Sequence, residues 1–177
     1  MSGRRGEAKT SQVILLSILA SVVVLFDQIS KYTVLAALSF GESTPVIPGI
    51  FHLTLVRNTG IAFGLFRHAD QILNWLIPAS ILVLFYFAYK LCRDYPSHTN
   101  GPRPWTQRFK DLMLVHWGIL LILGGAIGNW LDRMRYGAVI DFLDFRVWPV
   151  FNFADCAITI GVGLYILALF RHPKVQH

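Results

Sequence analysis

Leu112-Met-Leu-Val-His-Trp-Gly-Ile-Leu-Leu-Ile-Leu-Gly-Gly-Ala-Ile-Gly-Asn-Trp-Leu131 carries no charged residue from end to end. About 20 predominantly apolar residues are what an α-helix needs to cross the hydrocarbon core of a bilayer. Three further stretches are of similar character: Val13 to Leu35, Ile72 to Leu91 and Phe151 to Phe170. The sequence therefore predicts an all-α membrane protein, a four-transmembrane-helix bundle forming one integral domain over residues 1–177. Composition agrees, because 54% of the residues are hydrophobic and 15% charged, against about 25% charged in an average soluble domain. Apolar content this high also excludes intrinsic disorder. Cys92 and Cys156 are the only cysteines, each at the edge of or inside an apolar run, so no disulfide scaffold is expected. The first stretch follows Arg4, Arg5 and Lys9 as a signal peptide would, but no small-residue cleavage site ends it, and it is read as a retained span.

Basic residues set the orientation. Arg4, Arg5, Lys9, Lys90, Arg93, Arg103, Arg108, Lys110, Arg171 and Lys174 fall on one side, while Lys31, Arg57, Arg67, Arg133, Arg135 and Arg146 fall on the other. Acids run the opposite way, with only Glu7, Asp94 and Asp111 on the basic side. Both termini are thus expected in the cytoplasm. The net charge of +6 reflects topology and anionic lipid, and no nucleic-acid partner is expected. Residues 94–106, on the inner side, read as a polar linker. On the outer side, Phe51-His-Leu-Thr-Leu-Val56 alternates with the period of a strand, and Asn58-Thr-Gly60 then turns the chain before Ile61-Ala-Phe-Gly-Leu-Phe66. Residues 39–68 are therefore expected to form a small β element on the membrane surface. The second outer connection, residues 132–149, is also unusually apolar.

Ionisable groups at membrane depth are costly and mark function by default. Here they gather at the outer ends of the spans. Asp27 and Lys31 share a helix face and suit a structural ion pair. Asn129, Asp132 and Arg133 close the third span on one face. Asn152 and Asp155 open the fourth, with Asp155 expected about 6 Å deeper than Phe151. Two carboxyl groups in one poorly solvated site cannot both ionise easily and titrate as a unit, the arrangement by which an aspartic protease activates water and protonates a carbonyl. Asp155 is one candidate. Asp132, Asp141 and Asp144 compete for the second place. Asp132 stands beside Arg133 and near Arg135, Asp144 two residues from Arg146, and Asp141 among apolar neighbours that favour desolvation, so local sequence prefers Asp141. No Gly-x-Ser-x-Gly elbow, His-Glu-x-x-His pattern or cysteine pair at ligand spacing occurs, so neither a metal nor another cofactor is expected. Gly124 and Gly128 suit close helix packing, Cys156 inert packing, and Asn58 a turn, although its place on the outer side also suits substrate binding. A proton-coupled transporter is the alternative reading. It expects polar residues spread along the spans and some repeat symmetry, whereas acids here concentrate at one end. A scaffold protein would leave the buried aspartates without purpose.

In order along the chain stand Asp27-Gln-Ile-Ser-Lys31, Asn58-Thr-Gly-Ile-Ala-Phe-Gly64, Gly124-Gly-Ala-Ile-Gly-Asn-Trp-Leu-Asp-Arg133, Val139-Ile-Asp-Phe142 and Phe151-Asn-Phe-Ala-Asp155. Through these motifs the chain closely resembles the bacterial lipoprotein signal peptidases (signal peptidase II) from the first span to the fourth. The resemblance implies a membrane aspartyl endopeptidase of the inner membrane, with a four-helix bundle and an extracytoplasmic β-cradle. It implies cleavage of diacylglyceryl-modified prolipoproteins before the lipidated cysteine, at a site near the outer face. It places the catalytic pair on Asp141 and Asp155, and Asn129, Arg133 and Asn152 at the substrate backbone. Asp132 supports them, and Asp27 and Asn58 fall on positions of functional importance. Membrane lipid is an expected partner, and no obligatory protein partner is inferred. Two departures stand out: Cys156 replaces the usual Ser or Thr, and the segment from Asp141 to Asp155 is shorter than in many members.

Overall fold

The computed structural model describes residues 2–59, 79, 83, 86 and 105–171. The elements run α1 (Ser2–Ala37), β1 (Ser43–Ile47), β2 (Phe51–Asn58), α2 (Trp105–Tyr136), β3 (Val139–Asp144) and α3 (Phe153–Arg171). The first and third expected spans lie wholly within α1 and α2. The second, 72–91, lies outside the described residues except for Ala79, Val83 and Tyr86, which are helical; Ile61 to Phe66 and residues 94–104 of the inner linker lie outside them too.

Two described helices are long and apolar enough to cross a membrane. Their apolar windows are Ala20–Ala37, of mean hydropathy 1.3, and Met113–Tyr136, of mean hydropathy 1.6. Ile18, Val22, Leu25, Ile29 and Tyr32 repeat on one stripe of α1 and are exposed, as are Ile160, Val162, Ile166, Leu167 and Phe170 on α3. Helical backbone satisfies its own hydrogen bonds, and these outer faces are apolar, which is the combination hydrocarbon accommodates.

Small residues let the helices close up. On α2, a Cβ at Gly118 would lie 2.8 Å from the carbonyl oxygen of Gly161, and one at Gly125 would overlap the carbonyl oxygen of Ala154. Gly118 and Gly125 are thus matched, two turns apart, with Gly161 and Ala154 of α3. A second seam faces α1: a Cβ at Gly124 would come within 2.8 Å of Val23, and one at Gly128 within 2.5 Å of the Asp27 carboxylate. The close packing expected of Gly124 and Gly128 is therefore observed, and it is directed at α1.

The sheet is antiparallel in the order β1-β2-β3. Gly49, at φ 76°, supplies the left-handed residue between β1 and β2. Thr54 Oγ1 donates to Asp144 Oδ2 at 2.7 Å, tying β2 to the end of β3. β3 is buried along its whole length, and Val34, Leu55, Ile140, Phe142 and Leu143 form the core that joins sheet to helices. This third strand was not expected: the sheet extends beyond residues 39–68 and recruits Val139–Asp144 from the second outer connection. Nor is Phe151 helical, as the fourth span predicted. It bridges Leu143, and α3 begins two residues later, because Asn152 caps it.

Candidate active site

Asn152 is the N-cap of α3. Its Oδ1 accepts the Asp155 amide at 2.9 Å, while Asp155 Oδ2 accepts the Asn152 amide at 3.2 Å. This is a reciprocal capping box, in which side chains satisfy orphan donors of the first turn. Asp155 therefore lies in the first turn of α3, not a turn deep in the span as counted from Phe151, and it is half-buried. A third orphan amide, that of Ala154, donates to Asp27 Oδ1 at 3.0 Å. A carboxylate there also complements the positive end of the helix dipole.

The Asn152 amide nitrogen reaches the other candidate. Nδ2 donates to Asp141 Oδ1 at 2.7 Å, with Asn129 Oδ1 at 3.0 Å and the Ile140 carbonyl at 3.3 Å also in range. Asp141, 1% exposed, accepts a second bond from Asn58 Nδ2 at 2.8 Å. The pairing of Asn58 with Val139 and of Val56 with Asp141 sets that contact, so Asn58 is the last residue of a strand and not a turn residue. Burial is the main cause that raises the Asp141 carboxyl above its ordinary range. The Asp155 charge raises it further, and the Asn58 and Asn152 hydrogen bonds and the Lys31 charge oppose the rise. Asn129 Nδ2 donates to Asp155 Oδ1 at 2.8 Å, and Arg133 Nη1 donates to the Asn129 carbonyl at 3.3 Å. The two carboxyl groups are thus joined through Asn129 and Asn152.

Beneath them lies a closed polar layer. Lys31, 2% exposed, donates to Asp27 Oδ2 at 2.8 Å and to Asn129 Oδ1 at 3.0 Å, and pairs with Asp132 Oδ2 at 2.7 Å. Gln28 Nε2 donates to Asp132 Oδ1 at 2.9 Å, and the Ile140 amide donates to Asp132 Oδ2 at 3.2 Å. The ion pair expected between Asp27 and Lys31 is present. Asp132, however, is paired with Lys31 of α1 and not with Arg133 or Arg135, and Arg135 instead donates to Gln28 Oε1 at 2.8 Å. Asp144 is paired with Arg146, as its sequence position suggested, at 3.0 Å.

The expected residues Asp27, Asn58, Asn129, Asp132, Arg133, Asp141, Asn152 and Asp155 therefore form one connected cluster. Sequence reasoning gave no site role to Lys31 and Gln28; a buried base one helical turn from an aspartate was the available signal. Cys156 is half-buried beside the core, and its backbone amide donates to the Asn152 carbonyl at 3.2 Å. Asp27 and Asp132 are closed around an ammonium that offers three donors.

Apolar helices, a small sheet and two carboxyl groups coupled through shared amides have the make-up of a membrane-embedded aspartic peptidase. The signal peptidase (SPase) II family profile matches residues 19–171. Among curated relatives, a lipoprotein signal peptidase of Halothermothrix orenii is 38% identical over 160 residues, covering 89% of this chain and 97% of its own. One from Nostoc sp. is 40% identical over 162 residues, covering 90% and 92%. A solved bacterial membrane enzyme superposes with a TM-score of 0.73 at 30% identity, over 90% of this chain and 94% of its own. The chain belongs to the signal peptidase II family. It is an aspartic-type endopeptidase of the membrane.

Proposed function

We propose that this enzyme removes the signal peptide from diacylglyceryl-modified prolipoproteins, cutting on the N-terminal side of the lipidated cysteine, with Asp141 and Asp155 as its catalytic pair. The observation that carries the reading is the sharing of Asn152 between both carboxyl groups, with Asp141 enclosed and Asp155 open on one side. One carboxylate takes a proton from water as it attacks the scissile carbonyl, and the protonated partner donates to the carbonyl oxygen. Burial of Asp141 lets its carboxyl hold a proton to a higher pH than an isolated carboxyl would. Asn129, Asn152 and Arg133 hold the extended substrate backbone and contribute orientation. Asn58 binds Asp141, and Asp27 and Asp132, each with both oxygens engaged, support the cluster.

The bundle we propose has four spans, with residues 72–91 as the second, in one domain of 177 residues. Support comes from the path of the chain. Asn58 closes β2 beside the cluster, whereas Trp105 starts α2 about 36 Å from Asn129 at 1.5 Å per residue. The intervening residues must return across the bundle, and 72–91 is their apolar stretch. The cytoplasmic basic residues put both termini inside and the site at the outer face of a bacterial inner membrane. The substrate's acyl chains lie in hydrocarbon beside the spans. Concentration of the acids at one end disfavours proton-coupled transport.

Purified enzyme with a diacylated and an unlipidated prolipoprotein peptide tests the proposal. Only the lipidated peptide is expected to be cut, and Asp141→Asn or Asp155→Asn is expected to abolish cutting while the protein stays inserted and folded. Normal turnover in either variant would falsify the assignment.

A further inference from the structure

We propose that Lys31 is a positioning residue for this reaction: its ammonium fixes the side-chain amide of Asn129 so that Nδ2, and not Oδ1, faces Asp155. The inference rests on the reading of Asp155 as catalytic.

An asparagine amide has two chemically opposite ends, and a half-turn about its last torsion exchanges them. In this site Asn129 Oδ1 receives two donors, Lys31 Nζ and Asn152 Nδ2, each at 3.0 Å. Its Nδ2 donates to Asp155 Oδ1 at 2.8 Å. The reversed amide would set its N–H groups against an ammonium and another amide N–H, and its oxygen against a carboxylate. Asn152 alone holds Asn129 weakly, because its Nδ2 is shared with Asp141 Oδ1 at 2.7 Å and the Ile140 carbonyl at 3.3 Å. Lys31 has no such freedom. Its three donors meet three acceptors, Asp27 Oδ2, Asp132 Oδ2 and Asn129 Oδ1, and its side chain is enclosed. A purely structural ion pair needs only the two carboxylates. The third bond is spent on the residue that touches Asp155, one bond removed from the reacting atoms.

Removing Lys31 alone leaves Asp27 and Asp132 uncompensated in a buried site, which is strongly destabilising. The comparison is therefore between Asp132→Asn and the double variant Lys31→Met/Asp132→Asn, in which one positive and one negative charge leave together. Relative to Asp132→Asn, the double variant is expected to lower kcat by about 10- to 100-fold, with KM for a diacylated peptide changed less than about two-fold. Its pH–rate profile is expected to move to higher pH. Lys31 of α1, Arg133 of α2 and Asp155 of α3 are the charged groups that act on Asp141, and loss of the Lys31 charge favours its protonated form. Equal kcat and an unmoved profile in the two variants would overturn the proposal. Should the double variant not fold, the side-chain amide of Asn129 in the wild-type protein, labelled with 15N, decides. Stronger nuclear Overhauser contacts from its protons to the Asp155 β-protons than to the Lys31 ε-protons support the lock, and the reverse overturns it. Wild-type enzyme that does not cut, or Asp141→Asn that does, sinks the reading of the dyad instead, so the two failures are distinguishable.

Discussion

Asn152 caps a helix with one end of its amide and holds an aspartate with the other, so two substitutions separate its tasks. Asn152→Ser keeps a good N-cap but loses the donor to Asp141, whereas Asn152→Ala loses both. Thermal unfolding in detergent should show Ala less stable than Ser by about 1 kcal/mol, the worth of a cap. Peptide cleavage should show kcat reduced by on the order of a hundred-fold in both, since misplaced reacting groups cost that much. A Ser variant with wild-type kcat would remove Asn152 from the chemistry. Asn58 permits a pH test. Its hydrogen bond stabilises the ionised form of Asp141, so Asn58→Ala raises a carboxyl that burial has already raised. Whether Asp141 serves as acid or base, the limb of the kcat profile that it governs moves to higher pH, and a shift to lower pH contradicts the geometry. At this scale the sequence was informative wherever a residue's neighbours along the chain were also its neighbours in space. Asp141 was preferred because Ile140 and Phe142 flank it, and all three residues are buried. The neighbours of Asp132 along the chain are Arg133 and Arg135, but its partner Lys31 stands on another helix.

At the scale of elements, the glycines of α2 decide how near Asn129 comes to Asp155. Gly125 lies one turn before Asn129 and touches the Ala154 carbonyl. Gly125→Val should cost about 1–3 kcal/mol as an overpacking change and lower kcat as well, because it pushes apart the two helices that carry the site. Gly163→Ala, which meets nothing within 4 Å, should leave kcat unchanged and stability within about 1 kcal/mol. Equal effects of the two would mean that the seam does not set the site. The sheet has its own lock at Asp144, which the Thr54 hydroxyl, the Arg146 amide and the Arg146 guanidinium hold below the usual carboxylate range. A depressed carboxyl adds stability above its unfolded value of about 3.9, and that stability is lost as pH falls through the lower folded value. Thr54→Val removes the largest cause. Acid unfolding should then begin at a higher pH, and an unchanged acid limb would show the contact to be idle. β2 was legible as a strand pattern over Phe51–Val56, and β1 only as part of the β element expected over residues 39–68. β3 was not, because a strand buried on both faces shows no alternation of apolar and polar residues.

For the whole molecule, the proposed orientation and span count rest on quantities summed along the chain, charge and apolar length, which need no coordinates. The proposed level of the site in the membrane rests on the same quantities and leads to a further prediction. The apolar window of α2, Met113–Tyr136, is about 36 Å long, against a hydrocarbon core of about 30 Å. Such a span meets the bilayer by tilting or by lifting its outer end, and Asn129 and Asp132 lie within that end. The proposed substrate brings its own depth gauge, since the bond to be cut adjoins a cysteine anchored by two acyl chains. Enzyme and substrate therefore meet at one level only over a limited range of bilayer thickness. In proteoliposomes of dilauroyl lipid the proteins tilt while the lipidated cysteine follows the thinner leaflet, and kcat/KM should fall several-fold relative to dioleoyl lipid. In detergent micelles, which impose no fixed thickness, the same enzyme should recover a common rate whatever its prior lipid. A rate independent of acyl length in bilayers would mean that the dyad takes its substrate from water, and that the depth of Asp141 and Asp155 has no bearing on which peptides are cut.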